Sequence, residues 1–505
     1  MRIVSVEVKG LFKQNFDGYP GTNMVFEFTD QVGVVIGPNG AGKTTVQRLI
    51  HEFFRVPEWN DEIEDQTKGT ELSPLAAMHF ESISNSEVIW NTPFTSIRFD
   101  FDDDKTLHVA KQMAGSKPSR SDFLTLSIDE KHPSATTPDT GSPSAQPSIR
   151  IFSPAHQVSM IDTDFHRASS IYNDVFMHVS VYFVPVNRLL RIEESAFDDD
   201  RLLSTIDSDY IQMAFLDGDG VTLDVIPEVY RKWVSEANEF WRSELVGLSS
   251  SLLSSLTTNS GLLVNTRSNY GIGIDDMPTP VDIVGLRESA ERLHRVGVNL
   301  FGIPTHHAQP TMIAPPGTDA AQDNDLRRPK SAVDWLFHSN PSITGSVGDN
   351  MHSIVYHHLK NSIQGMENMV VKMELISEFP DEFFTGKYCD YNDEDGFNIR
   401  LNKYTDSYAK SADTTDILPL SSLSSGEQHA IIMLMSILQG EKDSLILIDE
   451  PETSLHIEWQ EELLPWLVRA ADCVGADLLI TTHSPHILSD HRCNVIKIPF
   501  RSQEE

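Results

Sequence analysis

The sequence predicts an α/β fold, in which a mixed, mainly parallel sheet with flanking helices and an antiparallel β subdomain is interrupted by a mainly helical insertion. Near the start, a continuously apolar segment at 32–36 indicates a buried strand, and a helix with one apolar face follows it. Near the end, strands at 445–448 and 478–482 alternate with a helix at 457–470, as in parallel α/β units. Helical spacing dominates the stretch between these two ends.

The remaining elements follow from the same two periodicities. Alternating apolar residues predict half-buried strands, and apolar residues that recur every three or four positions predict helices. Residues 96–112 combine two alternating runs around an Asp-rich turn, which indicates a β-hairpin. The other predicted strands are 3–8, 25–28, 179–186 and 397–401, and the other predicted helices are 46–54, 229–248, 284–301, 353–376 and 427–439.

These elements divide the chain into three predicted parts. Residues 1–190 form a first lobe with β-hairpins, residues 191–375 form a helical insertion, and residues 376–505 form a second lobe. The segment 131–148 is rich in Pro, Ser and Thr and almost lacks large apolar residues, so we expect a flexible surface loop there. No sustained heptad repeat runs through the middle, which favours a compact insertion over a coiled-coil arm.

Composition and charge exclude several classes of protein. With 39% hydrophobic residues and no apolar run of about 18 residues, the chain is not expected to span a membrane. The first residues pass directly into strand-like alternation without the apolar core of a secretion signal, which favours the cytoplasm. The three cysteines lack C-x-x-C spacing and are interpreted as free thiols. A formal charge of -35 disfavours tight binding of DNA by the chain itself, and suits a solvated surface or a basic protein partner.

The loop after the first buried strand fits a phosphate-binding motif. Residues 37–44, GPNGAGKT, match G-x-x-x-x-G-K-[ST], whose glycines let backbone N–H groups surround a β-phosphate at a helix N-terminus. Lys43 would reach the β- and γ-phosphates, and Thr44 would bind Mg²⁺. Residues 402–405, NKYT, lack the aspartate of a guanine-reading N-K-x-D element, which favours ATP. The predicted nucleotide contacts in this loop are Asn39, Gly40, Ala41, Gly42, Lys43, Thr44 and Thr45.

Two carboxylates follow the buried strand at 445–448. Taken alone, Asp449 and Glu450 could be an ordinary turn or helix start. Beside a phosphate loop they acquire a chemical role, because parallel sheets bind ligands at the carboxyl ends of their strands. Asp449 is then the second predicted metal ligand after Thr44, and Glu450 would orient or deprotonate water.

The segment LSSGEQ at 423–428 precedes an apolar helix and, taken alone, is a good helix cap. It resembles the signature sequence of ABC-type ATPases, which contacts the γ-phosphate bound by the opposite protomer. The resemblance implies nucleotide contacts by Ser424, Ser425, Gly426 and Glu427. The segment 452–456 resembles the D-loop of that class, and His483 resembles its switch histidine, a second catalytic residue beside Glu450.

Together, GPNGAGKTT, LSSGEQ, DEPETSLH and TTHSPHIL resemble the SMC/Rad50-like branch of ABC ATPases, particularly the OLD-like ATPases of prokaryotes. These motifs cover about the first 60 and the last 85 residues. OLD nucleases carry a Toprim domain, for which no room follows His483. The size and layout are similar to PtuA, the ATPase subunit of Septu antiphage systems, and the ATPase of PARIS systems is a close competitor.

The resemblance implies two ATPase heads that sandwich ATP, as a homodimer or a higher oligomer such as a hexamer. They would control an HNH nuclease subunit similar to PtuB, and nucleic acid would be reached through that complex. A RecF-like or Rad50-like repair ATPase and a slow regulatory nucleotide sensor are alternatives. The Q-loop glutamine stays open among Gln112, Gln146 and Gln157.

Overall fold

Apolar segments from both ends of the sequence meet in one parallel sheet in this computed structural model. Every neighbouring pair of its strands is parallel. All residues of the strands at 445–449 and 477–482 are buried, as expected for a parallel sheet that is covered on both faces. In spatial order the sheet consists of β14 (Asn494–Lys497), β3 (Val32–Ile36), β13 (Asp477–Thr482), β12 (Leu445–Asp449) and β8 (Val181–Val184).

The structure divides into two units, one formed by Met1–Thr222 with Ser424–Glu505 and the other by Leu223–Leu423. The first unit contains the parallel sheet, so its chain is interrupted by the second. The residues that the structure describes are 1–12, 22–28, 31–55, 72–113, 122–130, 148–153, 165–184, 223, 225–257, 280–298, 346–392, 396–401, 417–488 and 494–497.

Helices of the first unit cover the sheet with their apolar sides. The helix α1 (Lys43–Phe54) buries the residues whose spacing predicted it, among them Leu49, Ile50 and Phe53. The helices α9 (Ser425–Leu438) and α10 (Ile457–Val474) correspond to the two predicted helices of the C-terminal region. The smaller helices of this unit are α2 (Pro74–Asn85), α3 (Glu87–Asn91) and α4 (Phe165–Asp174).

A six-stranded antiparallel sheet forms the second layer of the first unit. The predicted hairpin at 96–112 is present as two paired strands, and further antiparallel strands extend it on both sides. Phe26, Phe53 and Phe99 belong to the common core beneath this sheet. In spatial order the strands are β2 (Thr22–Glu27), β1 (Ile3–Leu11), β4 (Ser96–Phe101), β5 (Lys105–Gln112), β6 (Phe123–Glu130) and β7 (Ser148–Phe152).

The second unit is mainly helical and has a small antiparallel sheet. Tyr230 packs against the rings of Tyr391 and Phe397, and its hydroxyl donates to the carbonyl of Val296. Gly297 has φ +90°, and a Cβ there would lie 2.2 Å from the Tyr391 ring, so this turn requires glycine. The elements are α5 (Val225–Thr257), α6 (Pro280–Arg295), α7 (Ser346–Gly365), α8 (Glu367–Phe383), β9 (Lys387–Asn392), β10 (Gly396–Leu401) and β11 (Ile417–Leu418).

These elements confirm the predicted mixed α/β class with a parallel sheet, an antiparallel sheet and helices. The helix predicted at 353–376 is wrong as a single element, because the chain ends α7 at Gly365 and starts α8 after Met366. The predicted loop at 131–148 lies outside the described residues except for Ser148, which begins β7. The three-part division at 190/191 and 375/376 stays a prediction, and α8 runs across the second of these boundaries.

Two smaller expectations concern cysteines and membranes. Cys389 and Cys473 are free thiols, and Cys493 lies outside the described residues. Within the described ranges, no helix is both long and apolar enough to cross a bilayer.

Candidate functional site

The loop between β3 and α1 has the backbone that its glycines predict. Gly40 and Gly42 have φ +75° and +93°, in the left-handed region that favours glycine. A Cβ on Gly42 would lie 2.8 Å from Leu11 Cδ2, whereas a Cβ on Gly40 would meet nothing within 4 Å. The positive end of the α1 helix dipole faces the loop. The first turn of α1 contains no acidic residue that would neutralise it. This geometry suits an anion.

Lys43 is the cation of this loop. It is only 4% exposed, and its Nζ donates to the carbonyls of Gly37 at 2.8 Å and Pro38 at 3.1 Å. The same nitrogen lies 2.9 Å from Nε2 of His483. Burial lowers the pKa of the Lys43 ammonium, and the carboxylates of Glu450, Asp449 and Glu452 act in the opposite direction. A positive charge is therefore held against the loop, next to the C-terminal ends of β12 and β13.

Thr44 is joined to the carboxylate that sequence reasoning chose as its partner. Its Oγ1 donates to Asp449 Oδ1 at 2.9 Å, and Thr481 Oγ1 lies 2.6 Å from the same oxygen. Asp449 and Thr481 face each other in the parallel register of β12 and β13. Buried Gln47 binds the two strands together by donating to the carbonyls of Ile448 and Leu479. Asp449 is itself buried at 2% exposure, so hydrogen bonds fix its orientation.

Glu450 and His483 complete the cluster. Glu450 leaves β12 with φ +44°, and its Oε1 lies 3.1 Å from His483 Nε2. Since this nitrogen also lies beside Lys43, it can accept from Lys43 when it carries no hydrogen or donate to Glu450 when it does. Both side chains are about one-third exposed, at 31% and 30%, so water can reach them. Both predicted catalytic residues therefore lie at the phosphate loop.

The predicted signature residues have a different set of contacts. Ser424 caps α9 in a reciprocal capping box with Glu427, whose carboxylate also accepts from the Ser424 hydroxyl at 3.0 Å. Ser424 and Ser425 are exposed. Gly426 packs against the D-loop, where its Cβ would lie 2.6 Å from the carbonyl oxygen of Ser454. The contacts of this segment thus run to its own helix and to the D-loop.

The other predicted phosphate-loop residues occupy ordinary positions for such a loop. Asn39 is exposed, Ala41 donates its N–H to the carbonyl of Pro38, and Thr45 is half-buried in the first turn of α1. Of the three candidate Q-loop glutamines, Gln112 ends β5 and is exposed. Gln146 and Gln157 lie outside the described residues.

Sequence reasoning missed three side chains that organise the site. Gln47 and Thr481 hold the strand ends on which Asp449 lies, and Glu452 accepts hydrogen bonds from the segment that carries His483. Glu452 was noted only as part of the D-loop resemblance. For Gln47 the sequence did carry a signal, because a polar residue on the apolar side of a predicted helix is unusual and indicates a specific hydrogen-bonding role.

The residues present fit a magnesium nucleotide. Thr44 and Asp449 offer a hydroxyl and a carboxylate, the hard oxygen donors that Mg²⁺ prefers, and they lie within 2.9 Å of each other. The glycine loop leaves open space at Gly40, and Lys43 supplies the charge for terminal phosphates. Nowhere in the described part of the chain do three or more His, Cys, Asp or Glu side chains gather as a metal site.

Comparison with known families finds a match in the C-terminal region. Residues 342–489 match the family described as "AAA domain, putative AbiEii toxin, Type IV TA system". The matched range contains Ser424, Asp449, Glu450 and His483 but not the phosphate loop, which the structure joins to it through pairing of β3 with β13. No curated protein matches the chain.

Solved structures of SMC heads align with most of the chain at low similarity. The SMC head domain from Thermotoga maritima has a TM-score of 0.29 at 12% identity, covering 97% of this chain and 93% of that one. The Smc head domain with an extended coiled coil, bound to the C-terminal domain of ScpA and derived from Pyrococcus furiosus, has a TM-score of 0.31 at 11% identity, covering 96% and 91%. TM-scores of this size do not establish a common fold. Residues 342–489 are thus similar to an AAA domain, and the paired strands bring the phosphate loop to the same sheet.

Proposed function

We propose that this chain binds ATP with Mg²⁺ and hydrolyses it at the cluster of Lys43, Thr44, Asp449, Glu450 and His483. The observation that best supports the proposal is the hydrogen bond from Thr44 to Asp449, because these two residues are the expected metal ligands and Thr44 belongs to the phosphate loop. A bound Mg²⁺ would neutralise charge on the phosphate oxygens. ATP is preferred to GTP because the chain lacks the base-reading aspartate at 402–405.

The side chains have separable roles in this proposal. Lys43 binds the terminal phosphates, since its ammonium lies at the mouth of the loop with carbonyl partners that hold it there. Glu450 orients water and accepts its proton, and its exposure leaves room for that water. His483 lies between Lys43 and Glu450 and donates a hydrogen bond to the terminal phosphate. Asp449 is held in its orientation by two hydroxyl donors.

We further propose that ATP brings two copies of the chain together as a homodimer of heads, within an assembly such as a hexamer. Exposed Ser424 and Ser425 lie at the N-terminus of α9, where backbone N–H groups favour an anion. Ser424 is bonded to Glu427 of its own helix, and the exposed sides of both serines are available to meet a neighbouring molecule's phosphate.

The proposed use of this assembly is control of an HNH nuclease subunit, similar to PtuB, in a cytoplasmic antiphage complex of the Septu type. Support comes from the size and layout of the chain, which are similar to those of PtuA, and from a net charge of -35, which suits a basic effector protein. Nucleic acid would then contact the complex through the effector. The second unit, Leu223–Leu423, is large enough to serve as the partner-binding part.

Three other uses of the same ATPase differ in their partner. A PARIS-like scaffold would hold a Toprim nuclease, and a RecF-like or Rad50-like protein would clamp DNA directly. The third alternative is a toxin of a type IV toxin–antitoxin system, as the matched family is described. Strong negative charge argues against the DNA clamp. Co-expression with the product of the adjacent gene, followed by size-exclusion chromatography, separates these candidates. An adjacent HNH protein that never co-elutes would contradict the Septu assignment.

ATP binding and turnover test the enzymatic part. Lys43→Ala should abolish ATP binding, and Glu450→Gln should retain binding while trapping the ATP-bound assembly. Lys9→Ala is the matched control, because Lys9 is an exposed lysine of β1 that pairs with Glu7. Hydrolysis by Lys43→Ala or Glu450→Gln at the rate of the unmodified protein would refute the site.

A further inference from the structure

One carboxylate oxygen holds three consecutive residues at the end of β13. Oε1 of Glu452 accepts from the hydroxyl of Thr482 at 2.8 Å and from the backbone N–H groups of His483 and Ser484 at 2.7 and 3.1 Å. Hydrogen bonds to an ionised acceptor are roughly twice as strong as neutral ones. The backbone that carries His483 is therefore fixed by a side chain from the D-loop.

A second tether joins the same two segments. Gln460, in the first turn of α10, accepts from the Ser484 hydroxyl at 2.7 Å and donates to the carbonyl of Leu455 at 3.1 Å. Together with Glu452, it connects both ends of the D-loop to residues 482–484. The segment bearing His483 consequently cannot shift without breaking side-chain hydrogen bonds to the D-loop.

The position of His483 matters because its ring lies between two charged groups of the site. Nε2 is 2.9 Å from Lys43 Nζ and 3.1 Å from Glu450 Oε1. A displacement of about 1 Å away from either group would lengthen that contact beyond hydrogen-bond distance. An imidazole with only two side-chain torsions keeps such contacts when its backbone is held in place.

The other carboxylate oxygen of Glu452, Oε2, lies in an unfavourable environment. Oε2 is buried and has no hydrogen-bond partner among the residues that the structure describes. Leaving a buried acceptor unsatisfied is unfavourable, so the three bonds at Oε1 and the nearby ammonium of Lys43 must outweigh that cost. A neutral residue with only a packing role would avoid it.

We propose that Glu452 is a positioning residue of this site, which acts through His483 by holding the backbone of residues 482–484 so that the imidazole stays between Lys43 and Glu450. It is not a catalytic residue, since its bonds go to the polypeptide. The tether itself follows from the geometry alone, whereas its effect on turnover rests on the proposed ATPase function.

Amide hydrogen exchange without nucleotide tests the tether independently of ATPase activity. In Glu452→Ala, the N–H groups of His483 and Ser484 should exchange at least about tenfold faster than in the unmodified protein. Glu452→Gln keeps one acceptor oxygen and should be intermediate. Glu458→Ala, which alters an exposed glutamate of α10, should leave these amides unchanged. Unchanged exchange in Glu452→Ala would overturn the tether, and if that variant does not fold, unchanged exchange in Glu452→Leu, which also removes the acceptor oxygens, would do so.

Turnover then tests whether the tether acts through His483. Glu452→Ala should lower kcat by about tenfold with little change in KM, and Glu452→Gln should restore part of the loss. In a His483→Ala background, adding Glu452→Ala should cost less than about twofold further. Multiplicative effects of the two substitutions would overturn the positioning role. If Lys43→Ala still binds ATP, the proposed function fails. The exchange experiment still decides whether the Glu452 tether exists, because it is done without nucleotide.

Discussion

The hydroxyl of Thr44 donates to Oδ1 of Asp449 at 2.9 Å, although 405 residues separate the two in sequence. Parallel pairing explains this proximity, because β13 lies between β3 and β12 and aligns their C-terminal ends. Each end of the chain supplies one half of the site. Part of the intervening sequence, Leu223–Leu423, forms a separate unit.

Removing the Thr481 hydroxyl should weaken the metal-dependent part of ATP affinity. Thr481→Val leaves Asp449 with one fewer hydrogen bond, and we expect about a tenfold loss in affinity with Mg²⁺, equivalent to ~1.4 kcal/mol. Without Mg²⁺ the loss should be about twofold or less. Isothermal titration under both conditions measures the difference.

Thr106→Val is the matched control for that substitution. Thr106 is also a buried threonine whose hydroxyl lies 2.6 Å from an aspartate, Asp100, but in the antiparallel sheet. It should change protein stability and leave nucleotide affinity unaltered. Equal loss of affinity in both variants would mean that Thr481 acts through general stability alone.

The close contact between the signature helix and the D-loop predicts an intolerant glycine. Gly426→Ala would place Cβ 2.6 Å from the backbone oxygen of Ser454, so the D-loop must move. We expect a loss of ~1–3 kcal/mol in stability, despite the better helix propensity of alanine. Gly247→Ala in α5 meets nothing within 4 Å and should be neutral or stabilising by up to about 1 kcal/mol. Thermal melts of both variants decide this, and similar melting temperatures would contradict the contact.

Much of the site could be predicted because its chemistry lies in short motifs. Lys43, Thr44, Asp449 and Glu450 were assigned from local patterns, and the structure brings all four together with His483. The role of Thr481 depends on which residue faces Asp449 across β12 and β13, a register that the local sequence does not specify.

The same contrast holds for the fold: local patterns predict single elements, whereas contacts between distant segments require the structure. The strand β6 alternates buried Leu124, Leu126 and Ile128 with polar residues, a local signal that the sequence carries. The separation of α7 from α8 at Met366 was not visible, because apolar spacing continues through it. The contacts of Glu452 required a three-dimensional structure, since its bonds to residues 482–484 join separate loops.

Burial of His79 predicts that acid destabilises the first unit. Burial lowers the pKa of His79 from 6.5 to about 4, and its ring packs 4.4 Å from that of Phe176. Between these values the unfolded chain binds more protons, so His79 stabilises the fold above about pH 6.5 and loses up to ~3 kcal/mol of that contribution by about pH 4.

The variant His79→Gln retains a side-chain donor but does not titrate in this range. Its melting temperature should fall less than that of the unmodified protein between about pH 7 and about pH 5. His166→Gln alters an exposed histidine of α4 and should keep the full pH dependence. The prediction fails if all three proteins lose the same number of degrees.

A site built from both ends of the chain can be tested by hydrogen exchange of the Glu450→Gln variant with and without ATP and Mg²⁺. We expect ATP to slow exchange in residues 37–45 and, in the same sample, at the ends of β12 and β13 up to Ser484. Glu450→Gln with Lys43→Ala should show neither effect. Protection confined to one end of the sequence, or none in Glu450→Gln, would contradict the shared site.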